Sequence, residues 1–428
     1  MLRLGYSALL YLLLPLIFLR LLWPRPGKPG YDARWPELLG ISPRAPAGAI
    51  WLHAVSVGEV VAARPVIQAL RKQWPATPIL LTTTTTTGAK AAEPLLADPM
   101  IQHVFAPLDL PGATARFLRR QQPAALLLME TELWPNQLAA CARQAVPVVL
   151  LNARLSERSC RRYARVGRVF RQLAAPLSLL LCQHRDDADR FIRLGVPQAR
   201  IQVTGSVKFD VTYDAALLTQ GQALRDSLGA ERPLWIAAST HEGEEAQVLK
   251  AFAAVRAQLP TALLVLVPRH PQRFDEVAAL CRAEGFSLAR RTSGEAVTAE
   301  TAVYLGDTMG ELPLMFAAAD LAFVGGSLVP VGGHNLLEPA ALGRAALTGP
   351  HYFNFSDITA QLLARGAVQE VTDSETLADV VLALLADPQK RRAMGDAGKA
   401  VVGANQGALA RTMAALAPVL DQALAPRS

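Results

Sequence analysis

Apolar residues along this chain gather into short runs separated by stretches of mixed polarity. The first run, 6–23, is rich in Leu and interrupted by Pro15 and Arg20. About 20 apolar residues are needed to cross a bilayer, so this run is only just long enough. It predicts a membrane anchor that either spans or lies shallowly in the interface. A signal peptide and a buried core helix are its rivals. A cleavable signal needs small residues at its end, and Trp23, Pro24, Arg25 and Pro26 stand there instead. The basic flank of Arg25, Lys28 and Arg34 favours a cytoplasmic body.

The stretch 24–46 is rich in Pro and Gly and reads as a linker. Short apolar runs then predict strands at 49–55, 79–84, 124–129, 146–152, 177–183 and 201–204, with a helix over 58–74. A polar connector follows from about 209 to 232. The pattern restarts at 235–239, 263–267, 302–305, 321–325 and 345–348, and the last helices run over 375–420. Strands alternating with helices indicate an α/β fold with parallel sheets. The two similar halves suggest two Rossmann-like, doubly wound domains facing a cleft, with ligands at the carboxyl ends of the strands. The expected boundaries are an anchor (1–24), a linker (25–47), a first domain (48–210), a connector (211–232) and a second domain (233–428).

Composition narrows the function. The length of 428 residues suits about two domains plus an appendage. The formal charge of +7 implies an anionic partner, which is nucleic acid, an anionic membrane surface or a phosphorylated substrate. Aromatics are only 6%, and no zinc-finger spacing or RNP-like aromatic run occurs, which argues against nucleic acid. Cys141, Cys160, Cys182 and Cys281 are scattered without a CxxC pair, as expected of reduced cytoplasmic thiols.

Candidate chemistry sits where predicted strands end. HAVSVGE at 53–59 puts Glu59 in a first helical turn, as a base or as a simple helix-start acid. His53 reads as a core histidine. METELWPN at 129–136 brings Glu130 and Glu132 to a strand terminus, either facing the cleft or paired with an Arg. TGSVKFD at 204–210 offers Lys208 for an anion or as solvated surface. The threonines at 82–87 form either a strand running into a turn at Gly88 or a substrate loop. In the second half, STHEGEE (239–245), PRHP (268–271) and GDTMGEL (306–312) place small or polar residues at strand ends. The run 325–339 carries four glycines and Asn335 before a helix. Helix-starting amides there can hold a phosphate, and Glu338 can bind a sugar hydroxyl. No GK[ST] follows, and no GxGxxG follows the first strand, so a P-loop and an NAD site are poorly supported.

These motifs, with NARLS at 152–156 and FVGGSLVPVGGHNLLEP at 323–339, resemble in order and spacing the 3-deoxy-D-manno-octulosonic acid (Kdo) transferases. The resemblance covers nearly the whole chain, including its apolar N-terminus. It implies a GT-B fold and inverting transfer of Kdo from CMP-Kdo to lipid IVA, the lipid A precursor, at the cytoplasmic face of a bacterial inner membrane. By position it implies Glu59 as general base, with Glu130 and Lys208 stabilising the transition state. Pro268, Arg269, Met309, Gly310, Glu311, Asn335, Leu336, Leu337 and Glu338 would bind CMP-Kdo. Leu336, Leu337 and Pro339 vary in such enzymes, while Asn335 and Glu338 keep their spacing. No cofactor or metal is expected. A GT-B transferase using another nucleotide sugar is the enzyme alternative, and a non-catalytic nucleotide-sugar binding protein is the alternative of another class.

One reading rests on spacing alone. Arg154, Arg158, Arg161, Arg165 and Arg168 recur at intervals of 4, 3, 4 and 3, so one helix would carry them on one face. Tyr163, Val166 and Phe170 would occupy the other face. Such a helix lies against the membrane or the acceptor phosphates, or is merely a solvated basic helix.

Overall fold

In a computed structural model of the chain, residues 2–22 and 30–425 are described. Trp23, Pro24, Arg25, Pro26 and Lys28, on which the signal-peptide and basic-flank readings relied, lie outside them. The chain forms two compact units. One comprises 1–210 and 406–428, the other 211–405.

The first unit is built on seven strands: β1 (Ile50–His53), β2 (Ile79–Thr83), β3 (Ile101–Phe105), β4 (Ala125–Met129), β5 (Val148–Ala153), β6 (Leu177–Cys182) and β7 (Ile201–Val203). Their order is β3-β2-β1-β4-β5-β6-β7, and every pair is parallel. The central strands β1, β4 and β5 are buried at every position, because helices cover both faces. One face packs Trp51, Leu126, Phe117, Phe170 and Phe191. The other packs Leu52, Leu127, Ile67, Leu416 and Leu420. Ile50 pairs with Ile79 on one side and Ala125 on the other, so the strand order reverses between β1 and β4. Ligands of open α/β sheets bind at the carboxyl ends beside such a reversal.

The second unit repeats this plan. Its strands are β8 (Leu234–Thr240), β9 (Leu263–Pro268), β10 (Leu288–Arg290), β11 (Val303–Leu305), β12 (Leu321–Val324), β13 (Ala345–Thr348) and β14 (Val368–Glu370). The order is β10-β11-β9-β8-β12-β13-β14, again all parallel, and the reversal falls between β8 and β12.

Four features differ from the sequence reading. Strands β3, β10 and β14 escaped it because they are short or lie at sheet edges, where partial exposure relaxes the apolar run. The linker is not free. Its 3-10 turn Asp32–Leu39 sends the Glu37 carboxylate to the Phe105 amide at 2.6 Å and pairs it with Arg34 at 2.9 Å. The connector holds a helix, Ala215–Gly229, that belongs to the second unit. A Cβ on its Gly221 would come within 2.5 Å of Ala317 Cβ, so glycine permits that packing. Finally, the terminal helix Ala408–Leu424 belongs to the first unit, not the second. Its Leu416 and Leu420 complete the first core, and Asp210 caps its start by accepting from the amides of Gly407 (2.6 Å) and Leu409.

Candidate active site

At the end of β1 the chain turns through 54–56 into the helix Val57–Gln73. Glu59 is 9% exposed and folds back over that turn. Its Oε2 accepts from the Val55 amide at 2.8 Å and its Oε1 from Ser56 Oγ at 3.2 Å. Burial pushes its carboxyl up to about 7, and the charges of Glu132 and Glu130 add to that, while the Val55 and Ser56 donors hold it down. An acid so poised exchanges protons near neutral pH, as general-base work requires. Neighbouring His53 is a core residue. It bonds Thr82 Oγ1 at 2.8 Å, and burial lowers its pKa to about 4.

Glu130 begins the turn after β4 with a left-handed backbone (φ 56°), a conformation that costs energy for any residue but glycine. That turn aims the carboxylate at Lys208, whose Nζ donates to Glu130 Oε1 at 2.7 Å. Lys208 sits in the 3-10 turn Val207–Phe209, whose other two side chains are buried and anchor the turn. Asn152 Oδ1 supports this turn by accepting from the Val207 amide at 3.3 Å. Residues 78 positions apart are thus joined, and the partner of Glu130 is a lysine, not the arginine considered from sequence. Glu132 is held above the usual carboxylate range by burial.

The threonine run serves the framework here. Thr84 and Thr85 hydroxyls both donate to the Val55 carbonyl, and Thr85 caps the helix Thr86–Ala92 by accepting from Gly88. Gly88 lies inside that helix and makes no turn.

The second unit carries different chemistry at its strand ends. Pro268 closes β9 and is buried, while Arg269 is exposed. Glu338, in the helix Leu337–Ala341, is raised by burial and held down by an Asn335 hydrogen bond and by the charge of Arg269. Asn335 Nδ2 donates to Glu338 Oε1 at 3.3 Å. His241 and His334 stack with their Nε2 atoms 2.9 Å apart. Burial first, then the neighbouring histidines and the charge of Arg269, lower them to about 4 and about 3, so both are neutral at pH 7.

Several residues expected to meet the donor are buried or already bonded within the fold. Leu336 and Leu337 are 1% and 0% exposed, so their side chains are core. The Leu337 amide is already engaged by Asn335 Oδ1 at 3.1 Å. Glu311 is gripped by Arg291 through two hydrogen bonds of 2.8 and 3.1 Å, whereas Met309 and Gly310 are exposed. At the start of the glycine-rich loop the amides of Gly326, Ser327 and Leu328 are already taken. Glu244, fully buried, accepts from Gly326 (2.6 Å), Ser327 (2.9 Å), Leu328 (2.8 Å) and His241 (3.0 Å). Sequence reasoning quoted Glu244 within STHEGEE but gave it no role. The signal available was a carboxylate opening a helix directly after Gly243; its partner loop lies more than 80 residues further along the chain.

The basic stripe is not one helix. Arg154 lies half-buried just after β5, Arg158 and Arg161 are in the helix Glu157–Ala164, Arg165 caps it, and Arg168 is in the helix Gly167–Ala174. The break falls at Val166 (φ −120°, ψ 38°), just before Gly167, a poor helix former. Val166 is 49% exposed, so only Tyr163 and Phe170 face inward, with rings 5.1 Å apart. Arg158, Arg161, Arg165 and Arg168 stay exposed, and Glu157 is shared among Arg161, Arg190 and Arg193. A cavity of about 690 Å³ lies at the opposite, amino ends of the first sheet, lined by residues such as Gly48, Pro78, Gln122 and Leu424. It holds no titratable side chain and is remote from this chemistry.

Comparison with known proteins agrees with this layout. The family described as 3-deoxy-D-manno-octulosonic-acid transferase (kdotransferase) matches residues 33–211, and glycosyl transferases group 1 matches 240–401. The chain is 40% identical to the 3-deoxy-D-manno-octulosonic acid transferase of Haemophilus influenzae, over 98% of this chain and 99% of that one. It is 42% identical to the Bordetella pertussis protein of the same name, over 96% and 98% of the two chains. Among solved structures, UDP-GlcNAc 2-epimerase from Neisseria meningitidis superposes with a TM-score of 0.54 at 13% identity, covering 87% of this chain and all of that one, a likeness of fold alone. Two all-parallel α/β units of GT-B type, matched from end to end by relatives of one name, place the chain in the 3-deoxy-D-manno-octulosonic acid transferase family, as a glycosyltransferase that transfers Kdo.

Proposed function

We propose that the enzyme moves Kdo from CMP-Kdo to a primary hydroxyl of lipid IVA with inversion, at the cytoplasmic face of a bacterial inner membrane. The observation that carries this reading is Glu59, a carboxyl at the reversal of the first sheet whose pKa is raised to about 7. In the reaction the acceptor oxygen attacks the anomeric carbon as its proton passes to Glu59. The bond from that carbon to the CMP phosphate breaks in line, and in-line displacement inverts the centre. Kdo brings its own carboxylate, for which Lys208 supplies the cation, with Glu130 keeping that ammonium in place. Charge that grows on the CMP phosphate falls to Arg269, because the loop amides of 326–328 are taken by Glu244. Asn335 and Glu338 suit hydroxyls of the nucleotide, and exposed Met309 and Gly310 suit its remaining contacts. The exposed arginines Arg158, Arg161, Arg165 and Arg168 suit an anionic bilayer or the acceptor's phosphates.

Mass analysis of products from CMP-Kdo and lipid IVA tests donor, acceptor and number of transfers together. Addition of one or more Kdo masses is expected. Transfer from a UDP-sugar instead would overturn the donor assignment. Donor binding without any product would favour a binding protein.

A further inference from the structure

The N-terminal helix Leu2–Leu22 is, among the described residues, the one helix long and apolar enough to cross a membrane. Its contacts with the first unit make a different placement more natural. Ser7 is buried and exchanges hydrogen bonds with the Asn136 side-chain amide at 3.1 and 3.2 Å. Asn136 is itself fastened to Asp109, which accepts from its backbone amide at 3.0 Å and also from the Tyr6 hydroxyl. One turn on, the Tyr11 hydroxyl lies 3.5 Å from where a Cβ on Gly112 would sit. Farther along, Phe18 meets Trp35 edge to face, with ring centroids 6.2 Å apart. At the far end, Leu21 packs on the cluster of Tyr31, Leu38 and Phe105.

The inward positions Ser7, Leu10, Leu14, Ile17 and Leu21 are spaced 3, 4, 3 and 4 apart, one continuous helical stripe. Contact with a single domain therefore runs from residue 6 to residue 21, about 22 Å of helix axis at 1.5 Å per residue. A helix that spans leaves its soluble domain at one end and enters roughly 30 Å of hydrocarbon. This one would have to drag the polar anchorage of Asp109 and Asn136 in with it, or break it. The outward positions carry a row of leucines: Leu4 (70% exposed), Leu9, Leu12 (77%), Leu13, Leu16 (61%) and Leu19. Positive charge flanks them. Arg3 and Arg20 are exposed on the helix itself. The helix Pro135–Arg143 touches both the anchor and the helix Gly167–Ala174, and so joins the leucine row to exposed Arg143, Arg168 and Arg171.

We propose that Leu2–Leu22 lies flat in the headgroup region of an anionic phospholipid bilayer, clamped to the first unit from residue 6 to residue 21, and does not cross the membrane. The proposal rests on the membrane location given above. Asn136 ends the METELWPN segment that carries Glu130, so the same clamp fixes the height of Glu130 above the lipid and lets a lipid acceptor react at the headgroup plane.

The test uses the full-length chain with Leu4→Cys, Leu12→Cys or Leu19→Cys, each labelled with bimane; the native cysteines are all buried. The variants are bound to phosphatidylethanolamine–phosphatidylglycerol vesicles containing lipids brominated at defined depths. A flat helix gives all three labels one shallow depth, about 5–10 Å below the headgroups. A spanning helix separates Leu4 from Leu19 by about 22 Å of depth, and such a gradient overturns the proposal while leaving the membrane location intact. Failure of the protein to float with any vesicle sinks the membrane location and the proposal with it. Labels shielded from lipid in a protein that runs as a dimer would assign the leucine row to a second copy and likewise overturn it.

Discussion

The two units share a strand plan and differ in what they place at its reversal. The first sheet follows β1 and β4 with acids, Glu59 and Glu130, the latter paired with Lys208. The second ends β8 and β12 in a loop clamp, Glu244 bound to four amides, beside neutral histidines and an exposed Arg269. In the proposed reaction the first reversal moves a proton and the second holds an anion. A shared architecture therefore fixes where ligands go and leaves the chemistry to a few side chains.

The sharpest way to break this contrast is Glu59→Gln. Turnover should fall by roughly 10²–10⁴-fold while CMP-Kdo binding, measured by calorimetry, is unchanged. A parallel loss of donor binding would mean that the proton-handling and anion-holding roles are not separated. The second unit's counterpart is Glu244→Ala. It leaves several buried amides without an acceptor at about 1–3 kcal/mol each, so thermal unfolding should show a large destabilisation and donor affinity should fall. A variant of native stability and affinity would refute the clamp.

A smaller effect separates Lys208 from Arg269. Lys208→Ala should reduce kcat by about 10–100-fold with little change in nucleotide affinity, whereas Arg269→Ala should raise the Kd for CMP alone. The pH profile refines the same point. Glu59 must be deprotonated to accept a proton, so activity should be full above its pKa of about 7 and lost as pH falls through it, tenfold per unit. A flat profile between pH 6 and 8 would remove Glu59 from the rate. The smallest effect concerns neither reversal. Arg161→Glu with Arg165→Glu should weaken vesicle binding at about 1 kcal/mol per basic residue removed, and high salt should erase the difference.

Much of this was readable from residues. The buried strands β1, β4, β5, β9 and β12 announce themselves as apolar runs because parallel strands are covered on both faces. Glu130 was visible for the same reason, since a charge directly after such a run tends to leave the core. Strand β3 and the short β10 and β14 were less legible, because an edge is only half covered. The arginine stripe misled because 3–4 spacing survives a helix break, and nothing in the spacing marks Val166 as the place where the helix stops.

The chain by itself determined the element order, the two parallel halves and the residues able to carry charge at their strand ends, because local propensity and the need to bury apolar runs act on neighbours in sequence. Only the tertiary structure decided partners. It joined Glu130 to Lys208, spent Glu244 on the glycine-rich loop, returned Ala408–Leu424 to the first core and laid the apolar N-terminal helix along its own domain. Those choices depend on which surfaces meet in space. A buried polar group takes whichever complementary group the packing brings within about 3 Å, and that distance is not written in the order of residues.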